Sequence, residues 1–180
     1  MPESRLTDVD VKISFPLLFE MTGTWSADDT QRAAAWELYV ELTTRIATVP
    51  LTPEEGLLRE AMSSLHALFG TTREVLRRYG PSVGKPRPGS SLSVGFIAVN
   101  VLNAGVRPFL AKWHPELSRW EQQPHDGVGV ADHERAWPHA VSVRADLAAL
   151  QRTLNQYAKT LEDGLGVSRS LLEPPSRRAT

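Results

Sequence analysis

Hydrophobic positions change their period once along this chain. Val9, Val11, Ile13, Phe15, Leu17, Phe19 and Met21 occupy every second position, with Asp8, Asp10, Lys12, Ser14 and Glu20 between them. A two-residue period predicts an extended, half-buried segment over residues 8–21. Pro16 interrupts it, so the segment reads as an N-terminal β-strand or a short hairpin. Its backbone needs a partner, either within the chain or on another chain.

From Asp28 onward the spacing is helical. Ala35, Leu38, Leu42, Ile46 and Val49 step by three or four and predict a helix from about Asp29 to Thr48. The stretch "LTPEEGLL" is expected to open a second helix, with Thr52 as N-cap, Pro53 in the first turn and Glu55 closing a capping box. Leu58, Met62, Leu65, Phe69, Leu76 and Tyr79 form its apolar face, and Gly80-Pro81 ends it. A third helix is expected from about Ser91 to Gln122, kinked or split at Pro108. A fourth follows the loop "QPHDGVGVADHERAWP" and runs to about Asp163, where Gly164 and Gly166 end it. The fold class expected is mainly α: an antiparallel four-helix bundle with a kinked third helix, preceded by the N-terminal strand or hairpin. Residues 1–166 read as one helical domain and 167–180 as a loose tail.

Composition narrows the function. The hydrophobic fraction, 41%, suffices for a core, and 20 Lys+Arg against 21 Asp+Glu leave a net charge of −1. A general polyanion-binding surface is therefore not expected. Absence of cysteine removes disulfides, thiolate metal sites and thiol nucleophiles, and fits a cytoplasmic location. The polar start "MPESRLTDVD" does not read as a signal peptide. The most apolar run, Leu92 to Val106, contains Gly95, Asn100 and Asn103 and reads as a buried helix rather than a membrane span.

The third helix carries a polar stripe. At 100° per residue Asn100, Asn103, Arg107 and His114 fall within about 60° of arc. Leu102, Val106, Phe109, Leu110, Trp113, Leu117 and Trp120 surround them, so the two asparagines are expected to be buried and hydrogen-bonded. Arg107 and His114, with six residues between them, resemble the R-x(4–6)-H motif of HEPN ribonucleases. The resemblance implies four-helix domains that dimerise around the motif. His114 would handle the proton of the attacking ribose 2′-hydroxyl and Arg107 would stabilise phosphate charge. Pro108 stands where that family often has a polar residue. Two other pairs match the spacing, Arg59 with His66 and Arg119 with His125. The structural alternative pairs Arg107 with a carboxylate and sets His114 at a helix break before Pro115.

Other chemistries are less developed. His125, Asp126, Asp132, His133, Glu134 and His139 are metal-ligand types close in sequence, but H-E-x-x-H would need histidine at 137, where Trp137 stands. The expectation is no metal, with Asp132 capping the fourth helix and the rest solvated. "GPSVGKP" lacks the glycine spacing and the Ser/Thr of a phosphate-binding loop, although Arg77, Arg78, Lys85 and Arg87 form a candidate anion patch. Trp36 lies near alanines that it could pack against. No cofactor is expected. The leading expectation is a non-enzymatic helical interaction module of an intracellular assembly. Its partner would be a protein or a second copy, with the strand Val9 to Phe15 as one route. The rival is the HEPN-like ribonuclease, and only that rival calls for nucleic acid.

Overall fold

In the computed structural model the chain is mostly helical behind an N-terminal hairpin. The structure describes residues 8–16, 19–45, 48, 55–123, 127–168 and 170–171. Strands β1 (Asp8–Phe15) and β2 (Phe19–Ser26) pair antiparallel, with Val9 opposite Trp25 and Phe15 opposite Phe19. Every pair joins positions of equal parity, so the odd residues share one face, on which only Phe19, beside the turn, is exposed. This is why one alternation runs through the turn: Val9, Val11, Ile13 and Phe15 are buried, and so are Met21 and Trp25. The backbone partner of β1 is thus found within the chain. Its inner face packs on the last helix, where Thr153 Oγ1 donates to the Ser14 carbonyl (2.7 Å) and Gln156 Oε1 accepts from the Ser14 N–H (2.7 Å).

Five α-helices follow among the described residues. Helix α1 (Asp29–Thr43) starts at Asp28, whose side chain accepts from the Gln31 N–H at 2.8 Å. It ends five residues earlier than the periodicity suggests. Ile46 and Val49 lie outside the described residues, while Thr48 is buried and donates from Oγ1 to the Leu42 carbonyl (2.6 Å). Helix α2 (Leu58–Tyr79) also starts later than expected. Thr52 and Pro53 lie outside the described residues, Glu55 stands in a bend, and Gly56 has φ 64°. The N-cap position is Leu57, whose side chain supplies no cap. A distant carboxylate, Glu134, supplies one instead.

Helix α3 (Val94–Glu121) runs unbroken for 28 residues from the N-cap Ser93. Its irregularity precedes Pro108: Val101–Val106 is π-helical, and the Arg107 N–H donates to the Leu102 carbonyl, five residues back. A proline ring clashes with the carbonyl four residues earlier, and the wider π turn relieves that clash without breaking the helix. Among the described residues α3 is the one helix long and apolar enough to cross a membrane, and half of its apolar window is buried. It lies against α2, α5 and the hairpin side, where Val101, Val106, Phe109, Trp113 and Leu117 join the core.

The expected loop before the last helix contains a short helix, α4 (Val130–Arg135). Helix α5 (Ala140–Leu165) ends at Gly166, which is left-handed (φ 68°, ψ 32°). Gly164 does not end the helix. It lies inside α5, against the Trp25 ring, where a Cβ would overlap the indole. Trp25 is fully buried, and its Nε1–H donates to Gln31 Oε1 (2.8 Å). That same oxygen accepts from the Val94 N–H (3.1 Å), and Gln31 Nε2 donates to the Lys85 carbonyl (3.1 Å). One buried glutamine therefore ties the hairpin, α1, the 80–84 turn region and the start of α3 together.

Candidate functional site: the groove between α2 and α3

Helices α2 and α3 pack side by side and leave an open groove between them. One part, about 560 Å³, is lined by His66, Phe69, Gly70 and Arg73 of α2 and by Arg107, Leu110, Ala111 and His114 of α3, among others. A second part of about 340 Å³ shares Phe69 and Arg73 and continues along Leu76, Arg77, Val99, Leu102 and Asn103. Heptad-like spacing on each helix (His66 to Arg73, Arg107 to His114) brings these side chains to one face.

The groove is cationic. Arg73, Arg77, Arg107, His66 and His114 line it, and no carboxylate does. Arg73 and Arg77 have no ion-pair partner among the described residues. The Arg107 guanidinium is held over the Phe69 ring, 5.4 Å from its centroid, and donates from Nε and Nη2 to Asn103 Oδ1 (3.1 and 2.9 Å). The amide orients the arginine without neutralising it. His66 packs its ring 6.4 Å from that of Phe69.

The polar stripe of α3 is thus a surface feature. Arg107 and His114 share the groove, and Asn103 is exposed beside them rather than buried. Asn100 is half-buried and donates to its own helix at the Phe96 carbonyl (2.8 Å). Its side chain stays on the helix surface because Val101, Leu102, Gly105 and Val106 take the core-facing positions. Arg107 pairs with an amide where a carboxylate was expected. Leu110 lies half-buried on the groove floor. The helical wheel misjudged these positions because α3 is covered by α2 and α5 but left open between them.

Of the other spacing matches, Arg59 is taken by an ion pair with Glu121 and by Ser118 Oγ (3.1 Å), and its bond to Glu121 raises an already high pKa. Arg119 pairs with Glu116 at 2.9 Å, and His125 lies outside the described residues. His66 enters the groove beside Arg73, a combination not anticipated from the sequence. The seven-residue step between them on α2 was the available signal.

The candidate anion patch divides. Arg78 pairs with Glu37 (2.5 Å), which Tyr79 Oη–H and Arg78 hold below the usual carboxylate range. Arg87 pairs with Asp28 (3.3 Å), Lys85 is exposed, and Arg77 turns into the groove.

Among the described residues no three His, Asp or Glu side chains stand together as a metal site, and His125 and Asp126 lie outside them. His133 is buried, stacked on Trp120 at 4.9 Å, with Nε2 3.1 Å from the Trp120 carbonyl oxygen. Asp132 caps no helix and pairs with Arg135 (2.7 Å). Trp137 is buried against Trp113, edge to face at 6.2 Å. Trp36 is 48% exposed and so does not fill a gap among the alanines.

Comparison with family models, with curated proteins and with solved structures finds no match to this chain. The fold class is a mostly helical domain carrying an antiparallel N-terminal hairpin.

Proposed function

We propose that this chain is a non-enzymatic helical interaction module whose working surface is the α2–α3 groove, and that its partner is anionic there. The observation that carries this is the lining: three arginines and two histidines without a carboxylate, on a chain of net charge −1. Unpaired guanidinium groups gathered over apolar floor attract an acidic partner and steer its approach. In this reading α1, α2, α3 and α5 form an antiparallel four-helix bundle, and α3 bends at its π turn. The cysteine-free composition supports work in the cytoplasm. The test is a titration of polyglutamate into isotope-labelled protein. Shifts confined to residues 66–77 and 99–114 are expected. Shifts spread over the whole surface, or none, would overturn the reading.

A second reading is a HEPN-like, metal-independent ribonuclease or an inactive relative. It is favoured by one observation: Arg107 and His114 are both exposed and line the same groove, so a ribose 2′-hydroxyl could reach His114. Wild type, Arg107→Ala and His114→Ala are compared on single-stranded RNA without metal. The module reading expects no cleavage by any of them. Cleavage by wild type that both folded variants lose decides for the ribonuclease.

A further inference from the structure

Four glycines lie inside the helices α1–α5 among the described residues: Gly70 in α2, Gly95 and Gly105 in α3, and Gly164 in α5. At Gly95 and Gly164 packing excludes a side chain, and at Gly105 a methyl group would make only ordinary van der Waals contact. A Cβ on Gly95 would come within 2.8 Å of the Val83 carbonyl oxygen, and one on Gly164 would enter the Trp25 ring. On Gly105 it would touch Leu150 at 3.4 Å and Phe15 at 3.5 Å. At Gly70 it would meet nothing within 4 Å. Glycine in a helix interior is destabilising relative to alanine, so the fold gains nothing from Gly70. What Gly70 does provide is room, because it lies on the wall of the α2–α3 groove. Ala67 and Ala111 line the same stretch with equally small side chains.

The groove has the shape and chemistry of a helix seat. Its walls run from His66 to Arg77 on α2 and from Val99 to His114 on α3, about 20 Å at 1.5 Å per residue. Phe69, Leu76, Leu102 and Leu110 form an apolar floor between cationic edges. Nucleic acid fits less well: Arg107 covers the Phe69 ring that a base would stack on, and the near-neutral chain supplies no wider phosphate contacts.

Resting on the reading of this groove as the working surface, we infer that its occupant is an acidic amphipathic helix of a partner protein, and that Gly70 keeps the seat open for it. The apolar stripe of that helix lies on Phe69, Leu102 and Leu110. Its carboxylates meet Arg73, Arg77 and Arg107.

The experiment uses fluorescein-labelled 18-residue helical peptides, one of Leu, Ala and Glu with its leucines on one face, the other with Lys for every Glu. Binding to the full chain is followed by anisotropy, beside a labelled oligouridylate. The acidic peptide is expected to bind at least tenfold more tightly than the lysine peptide. Gly70→Leu fills the groove from α2 and Ala111→Leu from α3, so one variant remains informative should the other fail to fold. Each is expected to weaken the acidic peptide at least tenfold with an unreduced thermal midpoint, and Arg73→Glu to weaken it likewise. Equal affinity for the two peptides, or unchanged binding in the folded Gly70→Leu or Ala111→Leu protein, overturns the inference. Oligouridylate bound more tightly than the acidic peptide overturns it too. A groove that responds to polyglutamate but refuses the acidic helix sinks this inference alone and leaves the anionic-partner reading standing.

Discussion

The carboxylate of Glu134 closes the first turn of α2, accepting from the Leu58 N–H at both oxygens (2.9 and 2.8 Å) across 76 residues of sequence. The first N–H groups of a helix have no partner inside it, and a negative charge there also meets the positive end of the helix dipole. Arg144 shares the site, donating to the Glu55 and Gly56 carbonyls (3.2 Å each) and lying 3.5 Å from Glu134 Oε1. Glu134→Ala should therefore destabilise the fold by about 1–3 kcal/mol, because a buried N–H loses its acceptor and Arg144 its countercharge. Glu134→Gln, which keeps one acceptor oxygen, should cost less. Urea melts followed by circular dichroism measure both, and equal losses would refute the capping role.

One substitution should act oppositely in two helices. Gly70→Ala adds a methyl group into open space and should stabilise by up to about 1 kcal/mol through helix propensity. Gly164→Ala drives a methyl into buried Trp25 and should destabilise by about 1–3 kcal/mol through overpacking. Thermal melts of the two variants check the sign of each.

Leu110 and Leu117 belong to the same apolar arc of α3, but only Leu117 is fully buried. Leu117→Ala should cost about 2–5 kcal/mol, as a complete core truncation does. Leu110→Ala, at the groove floor, should cost roughly 1 kcal/mol, since most of the area it covers is already near solvent. Comparable losses would mean that the groove is closed in solution.

Tyr157 is buried in α5, and its hydroxyl has no hydrogen-bond partner among the described residues. Burial pushes its phenol above the ordinary range, so it remains a neutral O–H throughout the usual pH span. Tyr157→Phe removes an uncompensated polar group of nearly the same shape. It should leave stability equal or raise it by up to about 1 kcal/mol, read by chemical denaturation. A clear loss would reveal a partner for the hydroxyl.

Asp146 gives the pH prediction. Burial alone would raise its pKa, but Lys112 Nζ and the Trp113 indole N–H, each donating at 2.9 Å, outweigh it and lower the value. A carboxyl with a depressed folded pKa contributes stability above its unfolded pKa, about 4, and loses it as pH falls through the folded value. The stability difference between wild type and Asp146→Asn should be constant near neutrality and shrink on acidification below about pH 4. Denaturation midpoints at a series of pH values test this, and a difference that widens in acid would reverse the sign.

What the sequence determined by itself was the local period and the types of element. Alternation from Val9 to Met21 marked an extended strand or hairpin without choosing between them, and steps of three and four marked the long helices, because each buries one face and so writes its geometry into every second or every third and fourth residue. Arg107 and His114 were legible as a pair on one helix face for the same reason. Tertiary structure alone decided which faces are covered. Asn103 is exposed because α2 and α5 leave a gap over that strip of α3, and His66 and Arg73 join the site because α2 forms its other wall. Glu134 could not be read as the cap of α2, since its partner lies 76 residues away and nothing near Glu134 in sequence encodes that approach. Gly164 and Gly70 look alike in sequence. One lies under Trp25 and the other beside open space, and only the packing of neighbouring elements distinguishes them.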